Sequence, residues 1–371
     1  MGKRVASFLG IICLSFSMIS CFNYTEINKV TFATSIIFDR DEYDNVILYL
    51  DCVRPYRNAN DSSDKGKRII FEGRGKTSLE ALRDMDVASS NKLDFSQVRA
   101  YIFTEQAARN GIKKYIDIIN NDQQFGFKPY MFVYFGEVKP LLDVTSSDEE
   151  YLGLYLDELV NKNKENGKVI SSNVNDYISD SLIGNNLSFM SAIELKKDSI
   201  EQKIELKGGV IMKDNHMVEA LEQKDVLSYN LLENKVREGT FEVQNPDEND
   251  KLITLDILEH YTKTNIEKVD DGFKLKKNIE LKVSIGEIQG KLKVNKEIMD
   301  TIERTEGEKL ERYLESFYKE YQEKGIDILG VVKLVNEKLP NSNVKDILGN
   351  TELNVTIDIT IDGSSLVRDS L

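Results

Sequence analysis

Tryptophan is missing from the 371 residues, histidine occurs twice and cysteine three times. A zinc site needs three or four ligands at recognisable spacing, and His216, His260, Cys13, Cys21 and Cys52 barely furnish one. Histidine-based acid–base catalysis has two candidates at most. Basic charge is also scarce. Lys plus Arg is 49 against 63 Asp plus Glu, a net charge of −14, so a broad phosphate-binding surface and nucleic acid as partner are excluded. No apolar run approaches 18 residues beyond the first twenty. What remains is 30% charged and 40% apolar with five prolines, a globular composition. At roughly 150 residues per domain it makes two to three domains, with a core large enough to need neither disulfide nor metal.

The first twenty residues carry no acid. Lys3 and Arg4 form a basic start, and Val5 to Ile19 is uncharged and mostly apolar. Fifteen helical residues reach about 22 Å, short of the roughly 30 Å hydrocarbon core, which is the layout of a secretory signal peptide over residues 1–20. The run ends Met18-Ile19-Ser20-Cys21 and resembles the lipobox of bacterial lipoproteins, which implies Cys21 as the site of lipid attachment. Cleavage there removes Lys3, Arg4 and Cys13, and lipidation consumes Cys21. Cys52 is then the only thiol, and no intramolecular disulfide can form. Acyl chains at about 0.8 kcal/mol per buried methylene hold the rest of the chain to a membrane surface.

Strands are expected at 30–38 and 46–52, with Val46, Leu48, Leu50 and Cys52 on one face; Cys52 is therefore a buried structural thiol. Further strands at 68–74, 98–103 and 130–135 alternate with helices at 78–85, 104–111, 112–119 and 137–142, implying a partly parallel sheet. Ser146 to Asp148 is a polar break, residues 149–160 and 174–183 read as helices, and Asn161 to Gly167 as an exposed turn. Residues 143–203 thus read as a connector before a second half. That half opens with a hairpin through Lys213-Asp214-Asn215-His216, followed by a helix at 223–233 and strands at 241–243 and 253–258. Alternation at Ile279 to Ile285 and Leu353 to Ile361 gives half-buried strands of a largely antiparallel sheet. Between them a long amphipathic helix spans 296–324, its stripe Leu310, Tyr313, Leu314, Phe317 and Tyr321 packing on its own sheet. A second helix follows Gly325, from 328 to 339.

Gly73-Arg74-Gly75-Lys76-Thr77-Ser78 superficially resembles a phosphate-binding loop, but the first glycine of that pattern falls on Ile70, so a strand-to-helix turn is expected. His216 sits in an exposed turn, and His260 follows Glu259 at the end of a strand with no ligand constellation around it.

Several of these stretches resemble the Ger(x)C family, the lipoprotein C subunits of GerA-type spore germination receptors. Cys21-Phe22-Asn23-Tyr24-Thr25-Glu26-Ile27 is similar to that family's opening, with Phe22 and Asn23 in place of its Trp and Asp. Glu72 to Leu82 resembles its Gly-x-Ser/Thr-x-x-Glu-Ala helix start, and Lys92 to Val98 followed by Glu105 to Ile112 its next strand and helix. Asn121 to Gly126 stands where members carry an Arg-Asp-x-Glu-x-Arg stretch. Gly208 to Val218 is similar to the family hairpin, and Gly325 to Gly330 with Leu339-Pro340 to its later segment. The resemblance runs in order over about 340 residues.

It implies an α+β protein with mixed β-sheets flanked by helices, divided into an N-terminal domain at 21–203 and a C-terminal domain at 204–371. It further implies no catalysis, and the residues themselves point to no cofactor or metal. The implied partners are integral-membrane A and B subunits, at the outer face of the inner spore membrane. The competing reading is a solute-binding lipoprotein of a transporter, which requires two similar lobes around a cleft.

Overall fold

The computed structural model describes residue 2 and residues 26–54, 67–144, 149–183, 187–197, 202–248, 250–340 and 344–362. Cys21, leader residues 3–20, the polar stretch 55–66, the break at 145–148 and the turn at 184–186 lie outside the described residues.

Strands β1 (Val30–Arg40) and β2 (Val46–Arg54) form a hairpin. Asp41 closes it, its carboxylate accepting from the N–H groups of Tyr43 and Asn45 at 2.9 and 2.8 Å. Strand β3 (Lys67–Gly75) pairs with β2 and turns into helix α1 (Ser78–Ala88). Thr77 Oγ1 accepts from Glu80 N at 3.2 Å while the Glu80 carboxylate accepts from Lys76 N at 2.7 Å, so the helix start is fixed from both sides.

Next come β4 (Lys92–Asp94), β5 (Ala100–Thr104), α2 (Glu105–Asn110), α3 (Lys113–Asn121), β6 (Tyr130–Tyr134), α4 (Val138–Leu142), α5 (Leu152–Asn163), α6 (Val174–Ile183) and β7 (Leu187–Leu195). The expected strand–helix alternation produces parallel pairing of β1, β5, β6 and β7. The hairpin β8 (Ile204–Lys213) and β9 (His216–Leu221) adds to β7, giving the order β3-β2-β1-β5-β6-β7-β8-β9, with β4 beside β1. This sheet therefore runs across the expected division at 203/204, and residues 187–195 of the expected connector are one of its strands.

Strands β5 and β6 are buried nearly throughout because both sheet faces are covered. Phe38, Phe103, Tyr115, Leu48 and Cys52 pack on one face, the Phe38 and Phe103 rings stacked 5.0 Å apart. Ile37, Ile102, Phe132, Leu152 and Leu156 pack on the other. There α5 crosses β1 so closely that a Cβ at Gly153 would strike the Thr34 carbonyl. The fully buried Asp51 fixes this crossing. It accepts from Leu152 N at 2.5 Å and from Arg68 Nε at 2.7 Å, while Arg68 Nη1 donates to Val144 O at 2.9 Å.

The second half contains α7 (Gln223–Leu232), β10 (Thr240–Gln244), β11 (Leu252–Val269), β12 (Gly272–Ile288), α8 (Lys296–Glu323), α9 (Val331–Lys338) and β13 (Thr351–Ile361). They form a four-stranded sheet in the order β10-β11-β12-β13. The first two pairs of neighbours are antiparallel, while β13 runs parallel to β12 after the crossover through α8 and α9. One face packs beneath the helices, with Phe273, Leu275, Ile279, Leu314 and Phe317 in one cluster.

Four expectations are corrected. The strand expected at 253–258 continues to Val269, because its inward positions pass to His260 and Thr262, both 6% exposed, and the apolar signal stops where the strand does not. His260 thus lies within a strand. On α8 the buried arc is Ile302, Gly307, Leu314, Phe317, Tyr318 and Tyr321, turned toward β13 along which the helix lies, whereas Tyr313 is exposed beside the charged start of α7. The helix expected from 328 begins at Val331; Ile326, Ile328 and Leu329 are buried in the turn before it. In the stretch expected as an exposed turn at 161–167, residues 161–163 continue α5 and Gly167 is buried against Leu227 and Val236.

Candidate functional site

The two sheets meet at α7. Its apolar residues Val226, Tyr229 and Leu232 join Phe189 and Ile211 of the large sheet to Leu275 and Ile279 of the small one in a single core. The last carbonyls of a helix have no partner within it and carry its negative end. Here the small sheet supplies the partners. Thr262 Oγ1 donates to Leu231 O at 2.6 Å, and Lys277 Nζ donates to Leu232 O at 2.7 Å and to the Glu233 carboxylate at 2.9 Å. Lys277 is 3% exposed and cross-strand from Thr264. On the other side, the buried Asn230 amide donates to Gly167 O at 2.9 Å and Val169 O at 3.0 Å.

The Thr262 hydroxyl gives its one proton to Leu231 O, so its 2.9 Å contact with His260 makes Nε2 of the neutral ring the donor. Burial holds the His260 imidazole below its ordinary pKa.

Two cavities open beside this joint, of about 380 and 550 Å³, sharing Asp180, Phe189, Tyr229 and Lys235. Lys235 Nζ donates to Tyr229 Oη at 3.0 Å. Burial acts to lower the Lys235 pKa, but Tyr229, Glu233 and Asp180 outweigh it and hold the ammonium above its ordinary value. Burial raises the Tyr229 phenol and the Asp180 carboxyl, the latter opposed by Lys235 and Lys333. Asp327 accepts from Val331 N and Val332 N at 2.7 and 2.9 Å, capping α9 at the rim. Lys235 is thus engaged with a phenol, Lys277 with Glu233 and a helix carbonyl, and Asp327 with helix N–H groups. That is the chemistry of a joint holding elements in register. Among the described residues, no group of three or more His, Cys, Asp or Glu is placed to hold a metal ion.

The residues singled out in the sequence do not converge. Cys21 lies outside the described residues. Cys52 is fully buried, and burial pushes its thiol up, so it is an inert core group. His216 is exposed in the β8–β9 turn, Nδ1 2.8 Å from Asp214 O, where Asp214 and Asn215 adopt φ of 51° and 64°. At the Gly73–Ser78 stretch the glycines serve packing. A Cβ at Gly73 would strike the Ala81 carbonyl, and one at Gly75 would come within 2.7 Å of Ala81 N. The joint itself was not foreseen. Its one sequence signal is polar His260, Thr262 and Lys277 at inward positions of otherwise alternating strands.

Comparison with known proteins gives concordant matches. Residues 23–195 match the family described as spore germination protein N-terminal domain, and residues 207–365 match spore germination B3/GerAC like, C-terminal. The chain is 24% identical over 271 residues to spore germination protein GerQC of Bacillus cereus, covering 73% of this chain and 74% of that one. Its fold is similar to the crystal structure of the GerBC protein, with a TM-score of 0.59 at 14% identity, over 88% of this chain and 97% of that one.

Proposed function

Because the chain belongs to the Ger(x)C family of spore germination proteins, we propose that it is the non-catalytic, lipid-anchored C subunit of a nutrient germinant receptor. The observation that carries this reading is the succession of the two germination family matches, in order, over residues 23–195 and 207–365. The leader ending at Cys21 supports a lipid anchor. Among the described residues no helix is long and apolar enough to cross a membrane, so in this reading the lipid is what holds the body at the surface. The body sits at the outer face of the inner spore membrane and assembles with integral-membrane A and B subunits. Its part there is structural: two unlike sheets, held in fixed register by α7, offer partner-facing surfaces on a rigid frame. The large mixed sheet and the small four-stranded one do not make two similar lobes, which leaves the solute-binding reading without support.

Replacing Cys21 by Ala removes the acceptor for lipid. The variant is expected in the soluble fraction after cell breakage, with the unaltered protein in the membrane fraction. Equal membrane retention of the two contradicts lipid as the main anchor.

A further inference from the structure

Among the described residues, strand β13 is the last strand of the small sheet, paired with β12 on one side only. The other side of such a strand presents alternate N–H groups that invite another strand. Here helix α8 lies along it, and three glutamates take those groups in turn. Val355 N donates to Glu315 at 3.0 Å, Ile357 N to Glu311 at 2.8 Å and Ile361 N to Glu303 at 2.7 Å. The spacing has a simple origin. Four residues of helix advance about 6.0 Å and two residues of strand about 6.6 Å, so one helix row can follow one strand edge, and a glutamate side chain absorbs the small drift. The row runs 303, 307, 311, 315 against strand positions 361 to 355, helix and strand pointing in opposite directions.

The fourth member of the row is Gly307, whose missing Cβ would stand 3.5 Å from Ile357 O, so helix backbone lies close against the strand there. Beside it is a recess of about 280 Å³ lined by Glu303, Glu311 and Ile359 among others. Among the described residues no side chain accepts from Ile359 N–H.

We infer that Glu303, Glu311 and Glu315 stand in for a fifth strand, closing the β13 edge so that a second copy of this chain cannot add to the sheet there. Charge reinforces the closure. An approaching strand would have to part α8 from the edge and leave three carboxylates without the N–H groups they accept from. The occupant excluded is a second copy because β13 is self-complementary: its apolar Leu353, Val355, Ile357 and Ile359 lie on one face, as they would on an antiparallel partner.

The test compares the full chain with E303A/E311A/E315A and E303Q/E311Q/E315Q, by sedimentation velocity in nonionic detergent and by hydrogen exchange. Gln keeps an acceptor oxygen at each position; Ala removes it. The Ala variant is expected to gain concentration-dependent self-association that the unaltered chain and the Gln variant lack. Below its association range, its amides at 355, 357 and 361 should exchange about tenfold faster or more. Unchanged association and unchanged exchange overturn the inference. If the Ala variant does not fold, the unaltered chain decides. There Ile359 N–H, facing Gly307, should exchange about tenfold faster than its three neighbours on that edge, and equal exchange of all four overturns the inference.

Discussion

Neutral His260 is a residue whose protonation the fold resists. Its ring is buried on an inward strand position and donates through Nε2 to Thr262, and burial lowers its pKa from 6.5. Above pH 6.5 the ring is neutral folded or unfolded, and its contribution is fully present. As pH falls below 6.5 the unfolded chain takes up the proton first, so stability is lost. Denaturant midpoints are therefore expected to fall between pH 7 and pH 5, and His260→Gln should flatten that dependence. An identical slope in the variant contradicts the assignment. Single residues also show what patterning can and cannot reveal. Cys52 was readable as core from the alternation of Val46, Leu48 and Leu50. The fully buried Asp51 beside it was not, because its partners Arg68 and Leu152 lie 17 and 101 residues away in the chain.

At the scale of elements, local chemistry was legible and tertiary preference was not. The strand-to-helix turn at 73–78 announced the start of α1, and the polar turn at 213–216 announced the β8–β9 hairpin. The length of β11 was hidden by inward His260 and Thr262, and the face of α8 by its lie along β13, which buries Tyr318 while Tyr313 stays exposed beside the charged start of α7. Those inward polar residues dock α7. Lys277→Met leaves the Leu232 carbonyl without its cation and is expected to cost about 2–4 kcal/mol. Asn230→Ala, which drops two bonds to the 167–169 strap, should cost about 1–3 kcal/mol. Values below about 0.5 kcal/mol for both in equilibrium unfolding would mean that α7 is held by apolar packing alone.

At the scale of the whole molecule, the described residues form a nine-stranded mixed sheet and a four-stranded sheet that share one core through α7. The α+β class followed from the order of elements and the family resemblance. Strand pairing across residue 203 did not, because the β7–β8 contact is decided by backbone hydrogen bonds that leave no mark in residue type. The candidate joint was equally hard to read, being assembled from helix carbonyls and from side chains on two strands. Two sheets joined in one core suit the proposed subunit that holds a receptor together. The most direct measurement follows dipicolinic acid release, across a panel of nutrients, from spores lacking this gene. The account predicts loss of release to one nutrient class with a normal response to a non-nutrient trigger, restored by the intact gene. Undiminished release to every nutrient, in spores also lacking any paralogous receptor, would contradict it.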